Sequence, residues 1–213
     1  MNKIFQIGFN KCGTLSIHRL FLNYSEPKLP SVHWENGTLA YNMQQNLDKG
    51  LPILHGYDHI KVFTDMETYM TTNNIDSYLF MFKHYQIIDQ QYPNSKFILN
   101  TRNINNWIIS RLNHKSGWKI QDGKPTKLKE SESYYKSHMK IYNINSLSKL
   151  ITIWENEWYD HHNNVINYFR NRTNDLLVFD IELDHINKIK SFFSEINFIS
   201  DSFPLYNETK VFV

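Results

Sequence analysis

A single cysteine, Cys12, is present among 213 residues, which excludes an internal disulfide framework and a zinc site built on several thiolates. Neither sign of charge is in large excess. The net charge of +2 is too small to make nucleic acid or an anionic membrane the default partner. No run of about 18 apolar residues is present to span a bilayer. Residues 1–8 (MNKIFQIG) break each apolar stretch within a few positions, so the continuous apolar core of a signal peptide is missing. A cytoplasmic protein with no membrane span and no nucleic-acid partner is therefore expected. Ten histidines are scattered without HExxH spacing, so no metal site is expected either.

What is present is ordinary for a folded chain: 41% hydrophobic and 21% charged residues. A chain of this length buries roughly 70% of its unfolded surface and needs no staple to hold a core. One domain over residues 1–213 is expected. Apolar runs at Lys3–Gly8, His59–Thr64, Lys96–Thr101 and Asp175–Asp180 read as strands. Helical spacing is read over Ile17–Asn23, Thr38–Leu47, Ser77–Gln91, the segment holding Trp107, Ile108 and Leu112, Ile141–Arg170 and Asp184–Ile196. His114–Tyr135, rich in Lys, Gly and Ser, reads as a polar surface loop. Strands alternating with helices predict a three-layer α/β fold, a central parallel sheet of about five strands with helices on both faces. In such folds ligands bind at the carboxyl ends of the strands.

The first strand runs into residues 8–16 (GFNKCGTLS) and then a helix. Free N–H groups and the positive dipole end at a helix N-terminus bind phosphate. Gly8 and Gly13 have the spacing of a Walker A loop, but Thr14 stands where that motif has lysine. The lysine, Lys11, comes two places before the second glycine instead.

That displaced lysine resembles the 5′-phosphosulfate loop of sulfotransferases, which commonly reads P-K-[SATC]-G-T-[TS]-[SW]. Asn10 replaces the frequent proline and Leu15 the usual hydroxyl residue. A second stretch, residues 92–102 (YPNSKFILNTR) followed by Trp107, is similar to the bacterial and viral-type members. It brings Arg102 at a strand end and Ser110 eight residues on. Residues 202–207 (SFPLYN) are similar to the closing PFPHxN segment. The resemblance implies a fold like that of P-loop nucleotide kinases. It also implies in-line transfer of a sulfuryl group from 3′-phosphoadenosine-5′-phosphosulfate (PAPS), without metal, to a hydroxyl or amine acceptor.

It further implies roles. Asn10, Lys11, Cys12, Gly13, Thr14, Leu15 and Ser16 cradle the 5′-phosphosulfate, while Arg102 and Ser110 hold the 3′-phosphate. Lys11 stabilises the leaving oxygen, assisted by Ser16, and Asp65 at the end of the second strand is the candidate base. Glu67 and His59 are candidate acceptor-site residues, and Trp34 a candidate for stacking on adenine. The acceptor is a small molecule or a saccharide. The lysines between Lys115 and Lys136 would suit an anionic one, though such a stretch is usually just a solvated loop. Two other readings stay open: a nucleoside or nucleotide kinase of the same fold, and a nucleotide-binding module that has lost transfer.

Overall fold

A computed structural model describes residues 3–114, 118–127 and 134–206. In chain order the elements are β1 (Ile4–Gln6), α1 (Thr14–Asn23), β2 (Ser25–Glu26), β3 (Ser31–His33), α2 (Thr38–Asp48), β4 (Val62–Thr64), β5 (Glu67–Thr72) and β6 (Ile75–Phe80). Next come α3 (Tyr85–Gln91), β7 (Lys96–Thr101), α4 (Ile104–Leu112), β8 (Trp118–Gln121), β9 (Lys124–Lys127) and α5 (Tyr134–Ile141). The last are α6 (Leu147–Phe169), β10 (Leu176–Asp180), α7 (Asn187–Phe192) and β11 (Asn197–Phe198).

Five strands form a parallel sheet in the order β10-β7-β1-β4-β3. Its core follows from period-two alternation. Phe5, Phe63, Phe97 and Leu99 point to one face, where α2, α3, α4 and α6 bring Met43, Ile88, Trp107 and Trp158. Ile4, Val62, Ile98 and Leu177 point to the other, where α1 and α7 bring Leu20, Phe21 and Ile189. Each fully buried side chain of this kind contributes roughly 1.5–3 kcal/mol. Helices on both faces of a parallel sheet make the three-layer α/β arrangement. From central β1 the chain goes first to β3 and β4 on one side, and later to β7 and β10 on the other. The carboxyl end of β1 therefore lies where a doubly wound sheet opens a crevice. No helix of the described residues is long and apolar enough to cross a membrane.

Several expectations are corrected. Ser77–Phe80 belongs to a strand, not to a helix reaching Gln91. β5 and β6 form an antiparallel hairpin closed by Asn73-Asn74, both at positive φ. Within His114–Tyr135, β8 and β9 form a second hairpin closed by Asp122-Gly123, again both at positive φ. β8 then joins β5, making a second, four-stranded sheet. Residues 115–117 and 128–133 of that stretch, with Lys115 and Lys129, lie outside the described residues. The fifth parallel strand, β3, is not among the four runs read as strands. The long helix starts at Leu147 rather than Ile141, and α7 covers only the middle of Asp184–Ile196.

Candidate functional site

The β1–α1 loop is held from the neighbouring strands by two buried amides. Asn100 of β7 donates through Nδ2 to the carbonyl of Cys12 (2.7 Å), and its Oδ1 accepts from the Gly8 N–H (2.9 Å). Gln6 of β1 donates to the Gly8 carbonyl (2.6 Å), and its Oε1 accepts from the Asp65 N–H at the end of β4 (2.8 Å). Three strand ends are thus tied together by side chains that are 1% exposed or less. Gly8 is required here by close approach: a Cβ would stand 2.1 Å from the Asn100 carbonyl oxygen. Gly8→Ala should therefore cost about 3 kcal/mol or more. Urea unfolding would read this as a lowered midpoint, and a midpoint equal to wild type would contradict it.

At its other end the loop enters α1 through Gly13 at φ 74°, with no side chain capping the first turn. By contrast α4 and α6 are capped by Asn103 and Ser146. The first N–H groups of α1 have no intrahelical acceptors, and they border a cavity of about 710 Å³ at the carboxyl ends of the strands. That volume is within the usual range for small-molecule sites. Lys11, Trp34 and Asp65 line it with left-handed backbones (φ 62°, 54° and 55°). Such strain in non-glycine residues gathers at functional sites.

Lys11 and Asp65 face each other across the loop. Burial lowers the Lys11 pKa, opposed by the Asp65 carboxylate. Burial raises Asp65 above the usual carboxylate range, opposed by Lys11 and by a hydrogen bond from Thr14. Asp65 also lies 3.7 Å from Nε2 of His33, an imidazole kept neutral by burial, with its pKa down to about 4. Glu67, only 2% exposed, is raised by burial and by the nearby Asp65, against the pull of Arg111. Its Oε1 accepts from the hydroxyls of Tyr78 (2.9 Å) and Tyr134 (3.2 Å). Arg111 is fully buried among the rings of Trp107, Trp154 and Tyr134, and it donates to the Tyr134 hydroxyl.

Arg102 and Ser110 both line the same cavity as Lys11. Arg102 is engaged: Nε donates to Glu182 (2.9 Å), Nη2 also contacts that carboxylate, and Nη1 donates to the Lys11 carbonyl (3.1 Å). Glu182 takes further bonds from the Asn103 N–H and the Asn106 amide. Burial alone would raise its pKa, but these donors outweigh it and hold the carboxyl below its usual value.

The other candidates divide. Asn10, Gly13, Thr14, Leu15, Ser16 and Glu67 all border the cavity. Ser16 accepts from the Tyr206 N–H (3.1 Å), so the C-terminal segment folds over the first turn of α1. Asn207 is outside the described residues. Cys12 does not line the cavity. Its side chain packs in the core, where burial pushes the thiol far up, leaving only its backbone for the loop. His59 is exposed in the turn before β4, at the opposite end of that strand from Asp65, and drops out as an acceptor-site residue. Sequence reading missed Gln6, Asn100, His33, His114, Tyr134 and Glu182. A signal existed for the first two, each a lone amide in an apolar strand. No protein-family model matches the chain, and no curated protein matches its sequence.

Proposed function

We propose that the chain is a sulfotransferase that takes its sulfuryl group from PAPS. The observation that carries this reading is the convergence of Lys11, Arg102 and Ser110, from segments about ninety residues apart, on one cavity at an uncapped helix start. The first-turn N–H groups of α1 and Lys11 would take the 5′-phosphosulfate, and Arg102 with Ser110 the 3′-phosphate. The acceptor oxygen or nitrogen attacks sulfur in line, and the sulfur–oxygen bond to the 5′-phosphate breaks. Lys11 stabilises the charge growing on the leaving oxygen. Asp65 takes the acceptor's proton.

The base must be ionised to act, and burial holds Asp65 above the usual aspartate value. Transfer from labelled PAPS to a panel of phenols, amines and sugars should therefore lose rate as pH falls through a limb lying well above about 3.9. The same raised pKa makes folding less favourable as pH rises through that window, because the unfolded carboxyl ionises more readily. Asp65→Asn should abolish the limb together with most of the rate. An unshifted limb in the variant would remove Asp65 as the base.

The Arg102–Glu182 pair favours a second reading, a nucleoside or nucleotide kinase whose nucleotide carries no 3′-phosphate. Under the sulfotransferase reading Glu182 is displaced from Arg102 when the 3′-phosphate arrives. Glu182→Gln should then tighten binding of adenosine 3′,5′-bisphosphate (PAP) about tenfold, by removing a competing charge. An unchanged affinity in calorimetry would support the second reading.

A further inference from the structure

Two acceptors of cavity-lining residues, Oε2 of Glu67 and Oδ1 of Asn10, are buried without a donor among the described residues, and Nε and Nη1 of the adjacent Arg111 are buried without an acceptor. The two acceptors belong to neighbours, because Asn10 and Glu67 bond the same Tyr134 hydroxyl, Asn10 through Nδ2 at 3.0 Å and Glu67 through Oε1 at 3.2 Å. An unsatisfied buried acceptor is costly, and the cost is relieved by a ligand that brings donors. The walls beside this pair are aromatic, from Tyr69, Tyr78, Trp118 and Tyr134. Ring faces of this kind attract a cation.

The charges around the pair are Asp65, Lys11, Arg111 and Lys83, whose pKa Glu67 raises, and Lys119 lies over the Tyr69 ring. Lys11 stands against Asp65, and Arg111 lies enclosed by the rings of Trp107, Trp154 and Tyr134. His114, next to Tyr134, is kept neutral by burial and by Lys11 and Arg111, with its pKa down to about 4. Among the described residues each cation at this end already has an anionic or aromatic partner, Lys83 with Glu157 and Lys119 with the Tyr69 ring included. One nitrogen with several N–H donors can satisfy both orphaned oxygens, which a single hydroxyl hydrogen cannot.

We infer that the acceptor is a flat arylalkylamine whose protonated amino group is anchored between Glu67 and Asn10. The inference rests on the transferase reading for the word acceptor, but the binding site itself does not. An anionic saccharide, the partner suggested by the lysines of residues 115–136, does not suit a wall of carboxylates and rings.

The test is calorimetry on the full chain with three phenols of one shape, with and without saturating PAP. The probes are tyramine, the neutral 4-ethylphenol and the anionic 4-hydroxyphenylacetate. Tyramine should bind at least about tenfold more tightly than 4-ethylphenol, the gain of one charge-assisted pair of hydrogen bonds. The anion should bind weakest. Glu67→Gln should remove the tyramine preference and leave 4-ethylphenol unchanged. Equal binding of tyramine and 4-ethylphenol to wild type, no tyramine binding at millimolar concentration, or a preference that survives Glu67→Gln would each overturn the inference. The comparison on wild type decides the matter even if the variant fails to fold. If PAP does not bind but the tyramine preference is present, the amine site stands and the transferase reading falls. The converse result sinks only the amine site.

Discussion

Under the proposed function, replacing Lys11 by methionine should lower the rate of sulfuryl transfer by about 100- to 1000-fold, the usual loss when one preorganised electrostatic donor is removed from a developing oxyanion. Methionine keeps most of the apolar stem and removes the ammonium, so the loop, fixed by Asn100 and Gln6 rather than by the Lys11 side chain, stays in place. The ammonium sits partly buried beside Asp65, where its charge is less screened than in water. Loss of charge at the leaving oxygen acts on the transition state, so kcat falls far more than PAP affinity. Rate measurements from labelled PAPS, with PAP affinity measured on the same protein, check this. Equal losses in binding and in rate would assign Lys11 to ground-state binding only. Lys11→Met should also lower the Asp65 pKa less than wild type does, because the positive neighbour is gone, and move the acid limb further up.

Arg102→Ala should lower the affinity for PAP by about 100-fold and erase the expected advantage over nucleotides without a 3′-phosphate. Two effects act together. The variant removes charge-assisted bonds in a forked geometry, each worth about 1.5–3 kcal/mol when the partner is ionised. It also leaves Glu182, still held by Asn103 and Asn106, facing an incoming anion with no cation between them. Because Arg102 spends part of its bonding on Glu182 in the free protein, the net loss is less than the sum of its bonds. Titration of the variant with PAP and with adenosine 5′-phosphosulfate checks it. If both nucleotides lose affinity alike, Arg102 supports the loop through the Lys11 carbonyl instead of reading the 3′-phosphate.

The parallel sheet could be read from the chain because β7 and β10 are near-continuous apolar runs and β1 leads straight into a glycine-bearing loop. β3 could not, since three residues (SVH) are too few to show alternation. Both hairpins were readable in principle. Asp122-Gly123 and Asn73-Asn74 are the pairs that two-residue turns with positive φ call for. Helical spacing of Tyr78, Phe82 and Tyr85 hid the second of them, although Tyr78-Leu79-Phe80 favours a strand by side-chain type.

For the site, Lys11, Arg102 and Ser110 came from the motifs that carry the resemblance, Asp65 and Glu67 from the end of the second strand, and all border one cavity. Glu182, Tyr134 and Arg111 carried no such mark. Their importance lies in pairings across 23 to 80 residues, which no local pattern records. Cys12 went the other way: its place in the motif put it in the phosphosulfate cradle, but its thiol packs in the core and only its backbone serves the loop.

The most direct measurement is calorimetric titration of the wild-type chain with PAP, with ATP and AMP run alongside, and no metal added. PAP is expected to bind at micromolar or tighter affinity at one site per chain, with ATP and AMP at least about 100-fold weaker. Failure to bind PAP, or equal binding of ATP and PAP, would contradict the central claim.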